Sequence, residues 1–208
     1  LSTTPIATSN TNDLFNLNIN KTNYSYQSIY YAQSLPLSTF TRGAIGMDAS
    51  SSTLKMDGFI DDVRIYNSTL STGQISQLFD GKTDANALVN HYTFDPTSIQ
   101  GNTTTGYALA NFAADTVVYD ASISDTALIT TVGKRLGTGC LYFPTLNYTG
   151  TVNLGPVDLR ADPSNATIST WVSFSSLDLT PRTVFSLGQS NKYLCLTATY
   201  LNYSFIYN

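Results

Sequence analysis

Only one stretch of this 208-residue chain repeats its apolar residues at helical spacing, and it sits between two strand-like runs. Ile75, Leu78 and Phe79 form one stripe, Ser71 is a good N-cap, and Gln74 falls at the third helical position to complete a capping box. Leu70 before the cap and Ile75 at the fourth position make a hydrophobic staple, and Gly81 suits the exit. A helix over residues 71–79 is too short to stand alone and must dock on a sheet. Composition pushes the rest of the chain towards strands. All 14 acids are Asp, Lys and Arg number 10 together, and Ser and Thr make 53 residues. Thr, Tyr, Val and Ile favour strands, whereas Glu, a good helix former, is missing. The chain therefore reads as all-β.

Ahead of the helix, residues 59–66 alternate. Phe59, Asp61, Val63 and Ile65 share one face, and Ile60, Asp62, Arg64 and Tyr66 the other. With the first face in the core, Asp61 is expected to be buried and to accept several hydrogen bonds. Asp62 is then expected to be exposed, pairing with Arg64 in solvent where such a pair is worth little. Shorter strand-like runs precede this one at 14–19, 28–32 and 43–47. Others follow at 88–94, 116–119, 140–143, 150–154, 168–174, 183–187, 193–197 and 203–207. In the run 168–174, Ile168, Thr170, Val172 and Phe174 share a face, and Trp171, the single Trp, lies opposite.

The run from Gly58 to Asn67, with its Ile-Asp-Asp-Val-Arg-Ile-Tyr-Asn ending and the capped helix after it, resembles the closing motif of laminin-G-like (concanavalin A-like) jelly-roll domains. Leu88 to Asp95, ending Tyr-Thr-Phe-Asp, resembles their opening motif. Residues 135–143 and 167–172 are similar to two inner strands of the same family. The resemblance implies antiparallel jelly-roll sandwiches in tandem. Residues 1–81 would be the C-terminal part of one, 82–87 a linker, and 88–208 the N-terminal part of a second, all cut from a longer protein. Alternatively, the two segments complement each other as one circularly permuted jelly roll. The tandem arrangement is the one expected, and a backbone ladder joining 59–66 to 88–94 would overturn it.

Enzyme chemistry finds little footing. Glycoside hydrolysis by the usual route needs two carboxylates about 5–9.5 Å apart, and the laminarinase-type relatives use glutamates, of which this chain has none. Asp61 and Asp62 are adjacent on a strand and so point to opposite faces. His91, the sole His, falls mid-strand and reads as a hydrogen-bonded residue rather than a general base. No phosphate loop, zinc spacing or calcium loop is present. Cys140 and Cys195 make no disulfide framework, and both are expected opposite the leucines of their strands and unbridged. A net charge of −4 without a basic cluster argues against nucleic acid, and no run approaches the roughly 20 apolar residues of a membrane helix.

Calcium is the one cofactor that the resemblance suggests, with Asp95 and Asp120 at strand ends as candidate ligands. Six to eight oxygens are needed, so turn chemistry is the favoured reading of both residues and no cofactor is assigned. Trp171 is the candidate for stacking on a carbohydrate. Seven sequons, at Asn20, Asn23, Asn67, Asn102, Asn147, Asn165 and Asn202, are candidate glycosylation sites. The expectation is a non-catalytic structural or adhesive module of a large exterior protein, on a virion or outside a cell. The Ser/Thr/Asn/Tyr-rich sequence resembles repeats in exterior proteins of giant algal viruses. Its partners would be copies or domains of the same assembly, and glycans. A specific lectin is the alternative, and a glycan-active enzyme ranks third.

Overall fold

The computed structural model describes residues 14–19, 22–27, 42–47, 55–82, 87–102, 106–113, 118–124, 128–145, 150, 152–154, 157, 167–176, 180–189, 192–198 and 203–207. Residues 14–19, 22–27, 42, 118–120, 189, 192–194, 198 and 203–207 are described by backbone alone. The expected run at 28–32 lies outside these residues, as do Asn20, Asn147, Asn165 and Asn202.

Among the described residues the chain is all-β apart from one α-helix and a 3-10 turn. Its strands are β1 (Leu14–Ile19), β2 (Thr22–Gln27), β3 (Arg42–Ile45), β4 (Gly58–Tyr66), β5 (Leu88–Tyr92), β6 (Ile99–Asn102), β7 (Gly106–Asn111) and β8 (Val118–Ile123). They continue with β9 (Ile129–Thr130), β10 (Cys140–Phe143), β11 (Val152–Leu154), β12 (Thr167–Phe174), β13 (Arg182–Gln189), β14 (Lys192–Ala198) and β15 (Tyr203–Tyr207). β1 and β2 form a separate hairpin. One larger sheet runs β15-β14-β13-β3-β11-β8-β7-β6, the other β12-β4-β10-β9 with β5 also on β4, and every pairing is antiparallel.

The two larger sheets share a single core. Ile60, Val63, Ile65, Leu141 and Phe143 from the five-stranded sheet pack with Ile45, Leu109, Val152, Phe185 and Leu187 from the eight-stranded one. This arrangement corrects the division at 82–87. β3 lies between β11 and β13, and β4 lies between β12 on one edge and β10 with β5 on the other. Each sheet therefore has a strand of the N-terminal segment inside it. The ladder that would overturn two separate bodies is present, with Val63 opposite Tyr92, Arg64 opposite His91 and Ile65 opposite Asn90. The physical reason is strand-edge saturation. β4 exposes hydrogen-bonding groups on both sides, and the later strands satisfy them within the same chain.

A bulge in β4 corrects the expected phase of its side chains. Asp61 opposes Trp171 and Arg64 opposes Ser169, so two β4 residues, Asp62 and Val63, face the single Thr170. Asp62 takes the left-handed conformation, φ 55°, which Asp tolerates better than most residues. Before the bulge Ile60 faces the core. After it, Val63 and Ile65 do. Phe59 instead stacks on Tyr142 on the outer face, with ring centroids 4.7 Å apart. Strict alternation fails here because one extra residue inverts every side chain beyond it.

The helix α1 (Thr72–Phe79) covers part of that outer face. Ser71 Oγ accepts from the Gln74 N–H, while Gln74 Oε1 accepts from the Ser71 N–H at 2.8 Å. At the other end the Gly81 N–H donates to the Leu78 carbonyl and the Lys82 N–H to the Gln77 carbonyl, which closes the last turn. Leu70 and Leu78 bury against Tyr66, with Ile75 and Leu88 beside them.

Candidate functional site

The outer face of the five-stranded sheet gathers most of the described ionisable side chains that have lost contact with water. Two structures cover it, α1 and the connection between β9 and β10. That connection, residues 131–139, carries three glycines in Gly-Lys-Arg-Leu-Gly-Thr-Gly. Gly133 (φ +84°) lies so close to Phe59 that a Cβ there would stand 2.6 Å from its ring. Gly137 (φ +60°) leaves no more room beside the Asp95 carboxylate, 2.5 Å away. A side chain at either position would meet both a steric and a conformational penalty.

Two aspartates fix this loop. Asp61, 2% exposed, accepts at Oδ2 from the Arg135 N–H at 2.7 Å and the Leu136 N–H at 2.8 Å. Its other oxygen, Oδ1, is buried without a hydrogen-bond partner. Burial raises the Asp61 carboxyl above its ordinary value, the two backbone donors only partly oppose this, and the Asp62 charge adds to the rise. Asp95, which follows β5, accepts at Oδ1 from the Thr138 N–H at 2.5 Å, the Thr138 hydroxyl at 2.9 Å and the Gly139 N–H at 2.9 Å. Burial alone would raise the Asp95 carboxyl, but donors from Thr138 and Gly139 outweigh it and hold the group low. Cys140 completes the loop's base, its thiol donating to the Val132 carbonyl at 3.3 Å. Burial, then the Asp61 charge, pushes that thiol up to about 11.

Beside the loop is a second cluster. Arg64 grips Asp62 with two donors, Nη2 to Oδ2 at 3.0 Å and Nε to Oδ1 at 3.1 Å. His91 Nε2 stands 2.8 Å from Asp62 Oδ1 and 3.3 Å from Arg64 Nε. Arg64 Nη1 also donates to the Lys82 carbonyl at 2.9 Å, so the ion pair ties β4 to the helix exit. Asp62 is 4% exposed and Arg64 3%. The expected solvent pair is therefore a buried one, because the bulge turns Asp62 towards His91 of β5 while the chain after α1 closes over Arg64. As chemistry, an Asp–His contact of 2.8 Å is the geometry of an acid–base dyad. Here the imidazole nitrogen facing Asp62 also lies against the guanidinium, so that nitrogen is turned into the cluster rather than towards a substrate.

The remaining candidates fall as follows. Trp171 is half-buried, its ring centroid 5.0 Å from that of Phe79 and 4.5 Å from the Arg135 guanidinium carbon. A sugar stacking on the Arg135 side would have to displace that cation. Asp120 lies within β8, two strands from β6 in the larger sheet, and its side chain lies outside the described residues. Among the described residues no three His, Cys or Asp side chains converge as a metal site. Asn67 is half-buried in the turn after β4, Asn102 is exposed at the end of β6, and Asn23 falls within β2. Cys140 and Cys195 are not joined in a disulfide, and both are buried. No helix among the described residues is long and apolar enough to cross a membrane.

The loop's two anchors were not legible as such, since Asp61 and Arg135 are 74 positions apart in sequence. The local signal was the run of three glycines around Lys134-Arg135. No protein-family model, curated protein or solved structure matches the chain.

Proposed function

We propose that this chain is a non-catalytic structural or adhesive module, built as a jelly-roll sandwich and displayed on the exterior of a virion or outside a cell. The observation that carries this reading is how its central acids are used. Asp61 and Asp95 hold the backbone of residues 135–139, and Asp62 is clamped by Arg64 and His91. Carboxylates committed to backbone donors and a buried ion pair serve rigidity, and a glycosidase needs the opposite, two acids facing a shared cleft. The shared core of two sheets and the Ser/Thr/Asn-rich composition suit a rigid, hydrated display element. A specific lectin is the second reading, favoured by the half-buried Trp171 and the exposed Arg135 on it.

A glycan array with the purified chain separates the two, because a lectin gives selective, saturable binding. Incubation with laminarin, xylan, alginate and chitin tests the non-catalytic claim. No reducing ends are expected, and their release by protein purified to constant activity would refute it.

A further inference from the structure

We infer that Asn102 is the acceptor of an N-linked oligosaccharide, carried at the tip of the β6–β7 hairpin. This rests on the exterior-display reading and supplies a modification that suits it. Asn102-Thr103-Thr104 is one of the seven sequons, and a sequon carries its sugar on the Asn side-chain nitrogen at a surface loop. The hairpin closes with Asn102 opposite Gly106, which leaves residues 103–105 as its connection. Gly101, Asn102 and Gly106 are all exposed. A Cβ built on Gly106 would meet no atom of the described residues within 4 Å, so that side of the tip is open. Asn67 stands differently. It is half-buried, and its N–H donates to the Ala87 carbonyl. The carbonyl of Ser68, the middle residue of that sequon, accepts from the Thr167 hydroxyl, and the Leu70 N–H donates to the same hydroxyl. That sequon is tied into the junction of β4, α1 and β12 rather than projecting from it.

The modification is a group transfer from a lipid-pyrophosphate-linked oligosaccharide. Asn102 Nδ2 forms a bond to the anomeric carbon and gives up one proton to solvent. The bond from that carbon to the pyrophosphate oxygen breaks, and the lipid pyrophosphate leaves. What the sugar does there follows from the place of β6. This strand ends the order of the eight-stranded sheet and, among the described residues, pairs with β7 alone. Open strand edges recruit other strands, and folds guard them with Lys, other charges or Pro. Ile99, Gln100, Gly101 and Asn102 include none of these. A bulky, hydrated oligosaccharide on Asn102 guards the edge in their place, because it keeps a second strand from closing on the main chain of β6.

The test starts from the protein isolated from the organism that makes it. Peptide-N-glycosidase in heavy-oxygen water turns each sugar-bearing Asn into a labelled Asp, and peptide mass spectrometry reads the label. Label at Asn102 in most molecules, and in fewer at Asn67, is expected. An Asn102 peptide of bare mass, or more label at Asn67 than at Asn102, would overturn the inference. The 208-residue chain, secreted behind a cleavable leader from a eukaryotic host, gives a second arm. Thr104→Ala should lose the Asn102 sugar and Thr104→Ser should keep part of it, and a sugar retained in full by Thr104→Ala would overturn the assignment. Once the sugar is removed enzymatically, light scattering at rising concentration should show association that the sugar-bearing chain lacks. Equal behaviour of the two forms would overturn the guarding role. Antibody to the chain, applied to intact particles or cells, tests the display reading separately. A labelled surface with a bare Asn102 sinks the glycan alone, whereas a surface without label sinks the display reading.

Discussion

Asp61 and Asp95 grip the same nine-residue loop through the same kind of bond, yet the proton treats them oppositely. Asp61 is almost wholly buried and satisfies one oxygen with two donors, leaving the other without a partner. Asp95 is half-buried, and one of its oxygens alone collects three donors. Burial wins at the first and raises its carboxyl, whereas hydrogen bonds win at the second and lower it. The number of donors set against the depth of burial decides which form of an acid a fold prefers.

The largest effect should come from the acid next to this pair. Asp62→Ala leaves the buried Arg64 guanidinium without its counter-charge, and breaking such a pair costs about 3–5 kcal/mol. Urea denaturation measures it, and a loss under about 1 kcal/mol would mean that water reaches the site. Next comes Asp61→Ala, at about 1–3 kcal/mol for two backbone donors left buried. Asp61→Asn sharpens the contrast. It keeps an acceptor and removes a charge that burial disfavours, so it should be milder than the alanine change. At the half-exposed Asp95, water can replace the lost acceptor, and Asp95→Ala should cost about 1 kcal/mol. Ser71→Ala, which removes the helix cap, belongs to the same range, about 0.5–2 kcal/mol.

The pH dependence separates the two aspartates by sign. With its folded value raised, Asp61 contributes stability that is full below the unfolded carboxyl value, ordinarily 3.8, and is lost as pH climbs through the folded value. Asp95, with its folded value lowered, contributes above 3.8 and loses its contribution as pH falls through the folded value. The stability of Asp61→Asn relative to the parent should therefore improve as pH rises from the acid side. That of Asp95→Asn should worsen over the acid range as pH rises. Parallel trends for the two variants would break the comparison.

How much of this could be read from the sequence depends on how local the cause is. The capping box of Ser71 and Gln74 and the stripe of Ile75 and Leu78 are settled within one helical turn, and the strands 14–19, 140–143 and 203–207 within their own residues. The face of each β4 residue was not. Asp62 enters the left-handed region against a partner strand more than 100 positions later, and that single residue moves Ile60 into the core and Phe59 out of it. The strands β6 and β7 carry weak apolar patterns, with Gly101 inside the first and Gly106 opening the second, and were missed. The Asp62–Arg64–His91 cluster needed the β4–β5 pairing, which the expectation of two separate bodies had placed in different domains.

Amide hydrogen exchange across residues 131–139, followed by NMR in the parent, Asp61→Ala and Asp95→Ala, tests most directly whether the acids serve the fold. The N–H groups of Arg135, Leu136, Thr138 and Gly139 are expected to be protected in the parent. Asp61→Ala should release the first two and Asp95→Ala the last two. Rapid exchange at all four in the parent would contradict the claim that these carboxylates hold the loop, and with it the basis for reading them as structural.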